Sequence, residues 1–367
     1  MKLHSRLAAS ALLALWTAAC ATPASPPASA AGSAPPGSPA SSAKAAPGAA
    51  GYHLLQKLAV GGEGGWDYLT LDSAARRLYV SRGTRVVVLD VDSGKTVGEI
   101  PGTEGVHGIA LAPDLHRGFT SNGRSSTVTT FDTGTLAVVG SVKATGDNPD
   151  AIIYDPASHR VFAFNGRGKN ATAIDAAAGT VAGTVPLDGK PEFAVADGKG
   201  RVFVNIEDKN QISVIDSRAL RVEKSWPIPS CDEPTGLALD RKYGRLFTVC
   251  HSRVMAVLDA ETGRAVASLS IGEGVDAAAW DPSTALAFAS NGEGTLTVVK
   301  QDGPDAYHVI ETAATQRSAR TMALDEKTHR VFLAAAEFGT PPPPTAEQPR
   351  PRAPMVPGSF TILVMGP

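Results

Sequence analysis

Seven positions recur along the chain at intervals of 40 to 44 residues, and their side chains could form a binding or catalytic site. They are Asp67, His107, Asp150, Glu192, Thr235, Asp276 and Arg320. His107 together with Glu192 or Asp150 could act as an acid and a base. Arg320, with Arg317 three residues earlier, could pair with an anionic ligand through its guanidinium group. The alternative is that these groups only hydrogen-bond the starts of neighbouring repeats.

The candidate binding residues are Asp67, His107, Asp150, Glu192, Asp276, Arg317 and Arg320, and the candidate catalytic residues are His107 and Glu192. His107, Asp150, Glu192 and His251 could in principle ligate a metal, but they come from different repeats and lack HExxH or paired-histidine spacing. We therefore predict no metal site. The sequence also contains no nucleophile elbow, phosphate-binding loop or dinucleotide fingerprint, so we predict no cofactor.

Two cysteines belong to one repeat. Cys231 precedes the innermost strand of the fifth repeat, and Cys250 ends the second strand. These two strands are antiparallel, so both cysteines are expected at the same end of one hairpin. We predict a disulfide between them, since the protein is expected in an oxidising compartment. The alternative is a free thiol beside His251 that binds a soft metal or reacts.

The elements that must position these residues repeat about every 42 residues. A basic residue opens a short apolar strand six times, and a degenerate copy starts at Ala285; the six are Arg77, Arg117, Arg160, Arg201, Arg245 and Arg330. An aspartate occupies the turn after the next strand, at Asp90, Asp132, Asp175, Asp216 and Asp259. Each repeat holds four short strands, which predicts an all-β, seven-bladed β-propeller over residues 52–367. The N-terminal strand at 52–60 is predicted to complete the seventh blade.

This topology predicts where the polar positions lie. The inner strand starts where the second strand ends, so the seven positions should line one end of the central channel, here called the polar mouth. The turns beginning at Asn122, Asn165, Asn205, Cys250 and Asn291 are predicted at the same end, where we interpret the Asn-Gly pairs as ordinary hairpin turns. A proline-rich insertion at 341–357 should emerge there as a tolerated loop, with a lid or partner-docking segment as the alternative. His116, His159 and His329 recur at the opposite end and are interpreted as framework.

Several stretches share a pattern that recurs among the repeats; they include Gly105-Val-His-Gly-Ile-Ala-Leu-Ala-Pro113, Asn148-Pro-Asp-Ala-Ile-Ile-Tyr-Asp155, Phe203-Val-Asn-Ile-Glu-Asp208 and Ser290-Asn-Gly-Glu-Gly-Thr-Leu-Thr-Val-Val299. These stretches resemble the YVTN/YncE-like family of exported bacterial β-propellers. The resemblance covers the region from about Tyr52 to Met365 and implies a seven-bladed fold. It implies less about activity, because one fold hosts many functions.

The N-terminus resembles an export signal. Lys2 and Arg6 precede an apolar run that ends at Cys20, and this pattern resembles a bacterial lipobox. We predict a signal peptide at 1–19 and lipidation of Cys20, with a plain secretory cleavage near 28–30 as the alternative. Residues 20–51 are predicted to be a disordered Ala/Pro/Ser-rich linker. The expected location is the periplasm or outer membrane, with the lipid as the only membrane attachment.

The net charge of the chain argues against one class of partner, nucleic acid. The formal net charge of −2 becomes −4 without residues 1–19, which argues against binding to nucleic acid through bulk electrostatics. From the propeller architecture, the export signal and the lack of a catalytic motif, we expect a monomeric scaffold that binds a small ligand or an envelope protein. The alternative is a small-molecule lyase or hydrolase with its site at the polar mouth.

Overall fold

The computed structural model describes residues 51–345, 348–349 and 351–367. Cys20, the predicted signal peptide and nearly all of the predicted linker lie outside these residues. The described chain forms 28 strands in seven four-stranded antiparallel sheets. This arrangement confirms the predicted all-β, seven-bladed propeller. Within the described residues, no helix has both the length and the apolar character needed to cross a membrane.

The strands of each blade follow one another in the chain, from the inner strand to the outer strand, except in blade seven. Blade one consists of β2 Leu69–Asp72, β3 Arg77–Arg82, β4 Arg85–Asp90 and β5 Thr96–Pro101. Blade two consists of β6 Val106–Ala112, β7 Arg117–Asn122, β8 Thr127–Asp132 and β9 Val138–Lys143. Blade three consists of β10 Pro149–Asp155, β11 Arg160–Asn165, β12 Asn170–Asp175 and β13 Thr180–Pro186. Blades four and five are β14 Pro191–Ala196, β15 Arg201–Ile206, β16 Gln211–Asp216 and β17 Arg221–Pro227; and β18 Pro234–Asp240, β19 Arg245–Cys250, β20 Val254–Asp259 and β21 Ala265–Ser270. Blades six and seven are β22 Val275–Asp281, β23 Leu286–Asn291, β24 Thr295–Gly303 and β25 Ala306–Ala314; and β26 Thr321–Asp325, β27 Arg330–Ala335, β28 Thr361–Gly366 and β1 His53–Ala59.

Blade seven joins the two ends of the described chain. Strand β1 pairs with β28 from His53 opposite Gly366 to Ala59 opposite Thr361. The register shifts once along this pair. The Thr361 hydroxyl also donates to the carbonyl of Leu58. Because β1 covers the edge of β28, it completes the last blade as predicted and closes the ring.

In blades one to five, the arginine that opens the second strand hydrogen-bonds the following blade. The Arg77 guanidinium of blade one donates to the carbonyl of Thr133 in blade two, at 2.5 Å. Arg160 of blade three donates to the carbonyl of Ser217 in blade four, at 2.6 Å. Hydrogen bonds from a charged donor contribute roughly 1.5–3 kcal/mol each when shielded from water. The repeated arginine therefore reflects a contact between blades.

The repeated aspartate closes the hairpin between the third and fourth strands. The Asp132 carboxylate accepts hydrogen bonds from the backbone amide and hydroxyl of Thr135, at 2.7 and 2.9 Å. Asp90 and Asp259 accept the equivalent backbone bonds in their own turns. These bonds confirm the prediction of hairpin turns at these positions.

Aromatic side chains fill the spaces between blades. The third residue of each second strand is aromatic and fully buried in blades one to five, and the same holds for Phe288 and Phe332 in blades six and seven. Burying one such side chain contributes roughly 1.5–3 kcal/mol. A chain with few aromatic residues thus concentrates them where blade packs on blade.

Candidate functional site

Five of the seven polar positions lie at the start of an inner strand. His107, Asp150, Glu192, Thr235 and Asp276 are each the second residue of an inner strand. In all five blades the pairing with the second strand shifts register around this residue. A β-bulge of this kind bends the strand and re-aims its side chains. The bulge therefore helps each side chain to face the polar mouth.

Three of the predicted residues form one close cluster. His107 Nδ1 lies 2.6 Å from Asp67 Oδ2 and 3.5 Å from Asp150 Oδ1. The three residues belong to blades one, two and three, so neighbouring blades supply them. Ser121 links the backbones that carry His107 and Asp150. Its hydroxyl donates to the Asp150 carbonyl and accepts from the backbone amide of Gly108.

Electrostatics at this cluster favour a charged imidazole. Burial disfavours the imidazolium, but the hydrogen bond to Asp67 and the charge of Asp150 outweigh it and raise the pKa of His107 to about 9. Burial raises the pKa of Asp150 to about 6, although the His107 charge opposes this shift. Without a ligand, His107 and Asp150 therefore each hold a proton more tightly than the free side chains do.

Glu192 lies beside the cluster with partners of its own. Lys190 Nζ is 3.4 Å from Glu192 Oε2 and also forms an ion pair with Glu207. The Tyr68 hydroxyl lies 3.5 Å from Glu192 Oε1. Burial and the charge of Asp150 raise the pKa of Glu192 to about 8.

Asp276 and Arg320 form a pair on the other side of the mouth. Arg320 Nη1 lies 3.3 Å from Asp276 Oδ2. Burial raises the pKa of Asp276 to about 7 even though Arg320 opposes this. Asp276 balances much of the Arg320 charge, while Arg317 is exposed. A free anion-anchoring pair of arginines therefore has little geometric support.

The sequence analysis missed three residues of the site, which are Tyr68, Lys190 and Glu207. The buried Tyr68 ring contacts Phe193 across the channel, with ring centroids 5.1 Å apart. These rings come from blades one and four and meet inside the channel. An aromatic next to a strand start is typical of core, so Tyr68 gave no signal. Glu207 follows β15 directly and could have been found by counting from Arg201.

The pairing of the strands corrects the predicted position of the turn in blade four. Strand β15 ends at Ile206, which pairs with Pro191, so Ile206 is the counterpart of Asn122 and Asn165. Asn205 lies one residue before this position, because the residue type suggests Asn205 whereas the strand register selects Ile206. Its side chain instead donates to the carbonyl of Thr235 and binds blade four to blade five.

Other polar residues of the mouth serve the framework. The Asn122 amide donates to Thr127 and Thr129 of the next strand, as the Asn291 amide does to Thr295 and Thr297. The buried Thr235 hydroxyl donates to backbone carbonyls. These contacts hold the blades in register and leave the ionisable residues to face the mouth.

A cavity of about 700 Å³ opens beside the three-residue cluster. Asp67 and His107 line its inner part, and Arg124, Arg167 and Arg352 line its rim. Arg352 comes from the proline-rich insertion, which returns along Phe338 through a bridge to Met355. The Trp66 ring lies 5.9 Å from the Phe338 ring. The insertion therefore lies at the polar mouth, as predicted.

Cys231 and Cys250 are joined by a disulfide, with their Cα atoms 5.4 Å apart. Both residues are buried. The neighbouring His251 pairs with Glu233, its Nδ1 lying 2.8 Å from Glu233 Oε2. The alternative of a free thiol beside His251 therefore has no support in this geometry.

The structure brings three possible metal ligands together, although the sequence predicted no metal site. The ligand atoms of Asp67, His107 and Asp150 all lie within 4.8 Å of one another. Sequence reasoning considered His107 and Asp150 as metal ligands but omitted Asp67, which occupies the same repeat position one blade earlier. At the opposite end of the channel, His329 Nδ1 lies 2.7 Å from Asp281 Oδ2, which agrees with a framework role.

Comparison with solved structures identifies a similar fold in Kuenenia stuttgartiensis hydrazine synthase. The TM-score is 0.65 with 14% sequence identity, and the match covers 74% of this chain and 93% of that chain. At this identity the similarity supports the β-propeller fold alone. No protein-family model and no curated protein sequence matches the chain.

Proposed function

We propose that this β-propeller is an exported binding module whose polar mouth holds a small, positively charged ligand. One observation carries the proposal: ionisable side chains from six blades converge on one open mouth, and the groups at and beside the inner-strand starts include more acidic than basic side chains. The acidic residues are Asp67, Asp150, Glu192, Glu207 and Asp276, and the basic residues are His107, Lys190 and Arg320. Burying uncompensated carboxylates is costly, and a bound cation would offset that cost.

The arrangement of partners supports a cation over an anion. Arg320 and Lys190 already face carboxylates, at 3.3 and 3.4 Å. By contrast, Asp150 Oδ1 and Glu192 Oε2 are buried and accept no hydrogen bond from any described residue. Lys190 Nζ lies 3.4 Å from Glu192 Oε2 but also pairs with Glu207. A ligand entering the mouth therefore meets two carboxylate oxygens that accept no hydrogen bond. The arginines on the cavity rim would contact an anionic part of the same ligand.

A thermal-shift panel tests this function. Organic amines, divalent metal ions, carboxylates and neutral sugars are added separately to the wild type and to an Asp150→Asn/Glu192→Gln double variant. At least one cation should raise the melting temperature of the wild type and have little effect on the variant. Stabilisation by none of the cations, or equal stabilisation of both proteins, would reject the proposed site.

Export and lipid anchoring are part of the proposal and rest on residues 1–20. The basic start, the short apolar run and Cys20 are typical of a lipoprotein signal. The quoted stretches resemble the YVTN/YncE-like family of exported bacterial β-propellers, which supports export. The intact mass of the mature protein should show an acyl adduct on Cys20. An unmodified N-terminus near residue 31 would exclude the lipid anchor.

A further inference from the structure

The cluster of Asp67, His107 and Asp150 combines one imidazole nitrogen with two carboxylates. Its distances from His107 Nδ1 are 2.6 Å to Asp67 and 3.5 Å to Asp150. Ligands bound at about 2.1 Å to one ion are themselves about 3–3.4 Å apart. Small side-chain rotations would therefore bring all three atoms to a common ion.

Asp150 supplies an independent indication that the cluster awaits a ligand. Its Oδ1 atom is shielded from solvent and accepts no hydrogen bond from the described residues. The same atom is the one that faces His107. A buried carboxylate oxygen without a donor is costly, and a coordinated ion would satisfy it.

We propose that this cluster binds one first-row divalent transition-metal ion, with Zn²⁺ as the representative ion. The inference rests on the proposed function, because it names the cation that the polar mouth would hold. Two carboxylates balance a charge of +2, and the imidazole would release its proton on binding the ion. Mg²⁺ and Ca²⁺ prefer oxygen ligands alone, whereas imidazole nitrogen favours Zn²⁺ and its neighbours in the row.

The ion would keep positions open for a further ligand. The cavity of about 700 Å³ reaches the inner wall formed by Asp67 and His107. Three protein ligands leave at least one coordination position free, as in zinc sites that also bind water or substrate. The metal would thus place a positive centre at the wall of the cavity.

Replacing His107 distinguishes a bound metal ion from a bound organic cation. His107→Gln takes away a metal ligand, so Zn²⁺ affinity should fall at least tenfold. An organic amine held by the carboxylates does not need the imidazole as a ligand, so its affinity should not fall. One substitution therefore distinguishes the two kinds of cation.

The test is isothermal titration of Zn²⁺ into full-length mature protein that was first stripped with a chelator. The wild type should bind one Zn²⁺ per chain at the mouth, while His107→Gln and Asp150→Asn each lose at least tenfold in affinity. His308→Gln is the matched control, because His308 forms an exposed pair with Asp302 at 2.7 Å. This control should retain the affinity of the wild type, and Mg²⁺ should bind much more weakly.

Circular dichroism confirms that each variant is folded, and Asp150→Asn decides the test if His107→Gln does not fold. Absence of stoichiometric Zn²⁺ binding, or unchanged affinity in the folded variants, would overturn the metal site. If organic amines still stabilise the wild type through Asp150 and Glu192, the binding function stands without the metal. If no cation binds, both proposals are rejected.

Discussion

At the scale of single residues, Glu192 shows how the polar mouth couples stability to pH. Its ordinary pKa of 4.5 rises to about 8 in the folded protein, through burial and the charge of Asp150. The folded state therefore holds this proton more tightly than the unfolded state. The corresponding stabilisation is fully present below pH 4.5 and is lost as the pH rises to about 8.

Replacing Glu192 with Gln should remove this dependence. At pH 8 the variant should be more stable than the wild type by about 1.4 kcal/mol or more, the equivalent of one pKa unit. At pH 4.5 the two proteins should have similar free energies of unfolding. Denaturant titrations at both pH values, in chelator, measure the difference.

Glu99→Gln serves as the control, because Glu99 is exposed on an outer strand and pairs with Arg85 at 3.3 Å. Its effect on stability should be small at both pH values. A Glu192→Gln variant that is less stable than the wild type at pH 8 would show that the ionised carboxylate is well solvated in the fold.

A second residue-scale prediction concerns Gly123, which makes room for the His107 ring. A Cβ atom at position 123 would lie 2.7 Å from His107 Nε2, closer than real contacts allow. Gly123→Ala should therefore displace the ring and reduce Zn²⁺ affinity at least tenfold. Gly166→Ala is the matched control in the next blade, since its Cβ would meet nothing closer than 3.5 Å. Equal affinities in the two variants would show that the ring position is unimportant.

At the scale of elements, the hairpin of β18 and β19 carries the one disulfide among the described residues. Cys231 and Cys250 are 19 residues apart. Closing a loop of this length stabilises a fold by about 3 kcal/mol, mainly by restricting the unfolded chain. A Cys231→Ser/Cys250→Ser variant should lose about that much in the free energy of unfolding.

Chemical denaturation with and without reductant measures this loss. Reductant should destabilise the wild type and leave the double variant unchanged. If reductant affects neither protein and both are equally stable, the cysteines are not bonded in the isolated protein.

The predictable and unpredictable elements differ for physical reasons. In blades one to five the arginine recurs because it hydrogen-bonds the following blade, and the aspartate recurs because it closes the turn after the third strand. The strands could therefore be located from sequence. The register within blade four could not be read by residue type, which is why Asn205 was confused with the position of Ile206. Contacts between distant blades were also hidden, because Tyr68 and Phe193 meet only once the ring closes.

At the scale of the whole molecule, closure depends on β1. This strand covers β28, and Tyr52 just before it packs against Phe288 with ring centroids 5.1 Å apart. Deleting residues 1–60 should expose the edge of β28, lower the melting temperature by several degrees and promote association between chains.

Deletion of residues 1–50 alone is the matched control, because every described strand begins after residue 50. It should leave the melting temperature unchanged. Calorimetry and size-exclusion chromatography report both effects. Equal melting temperatures and monomeric profiles for the two deletions would show that the ring does not require this strand.

The convergence of neighbouring blades on one cation site is the central claim. Its most direct test is anomalous scattering at the zinc edge, from crystals of the mature protein grown with Zn²⁺. The expected result is a peak within bonding distance of His107 Nδ1 and carboxylate oxygens of Asp67 and Asp150. A map with no peak at the polar mouth, or with peaks only at exposed pairs such as His308 and Asp302, would contradict it.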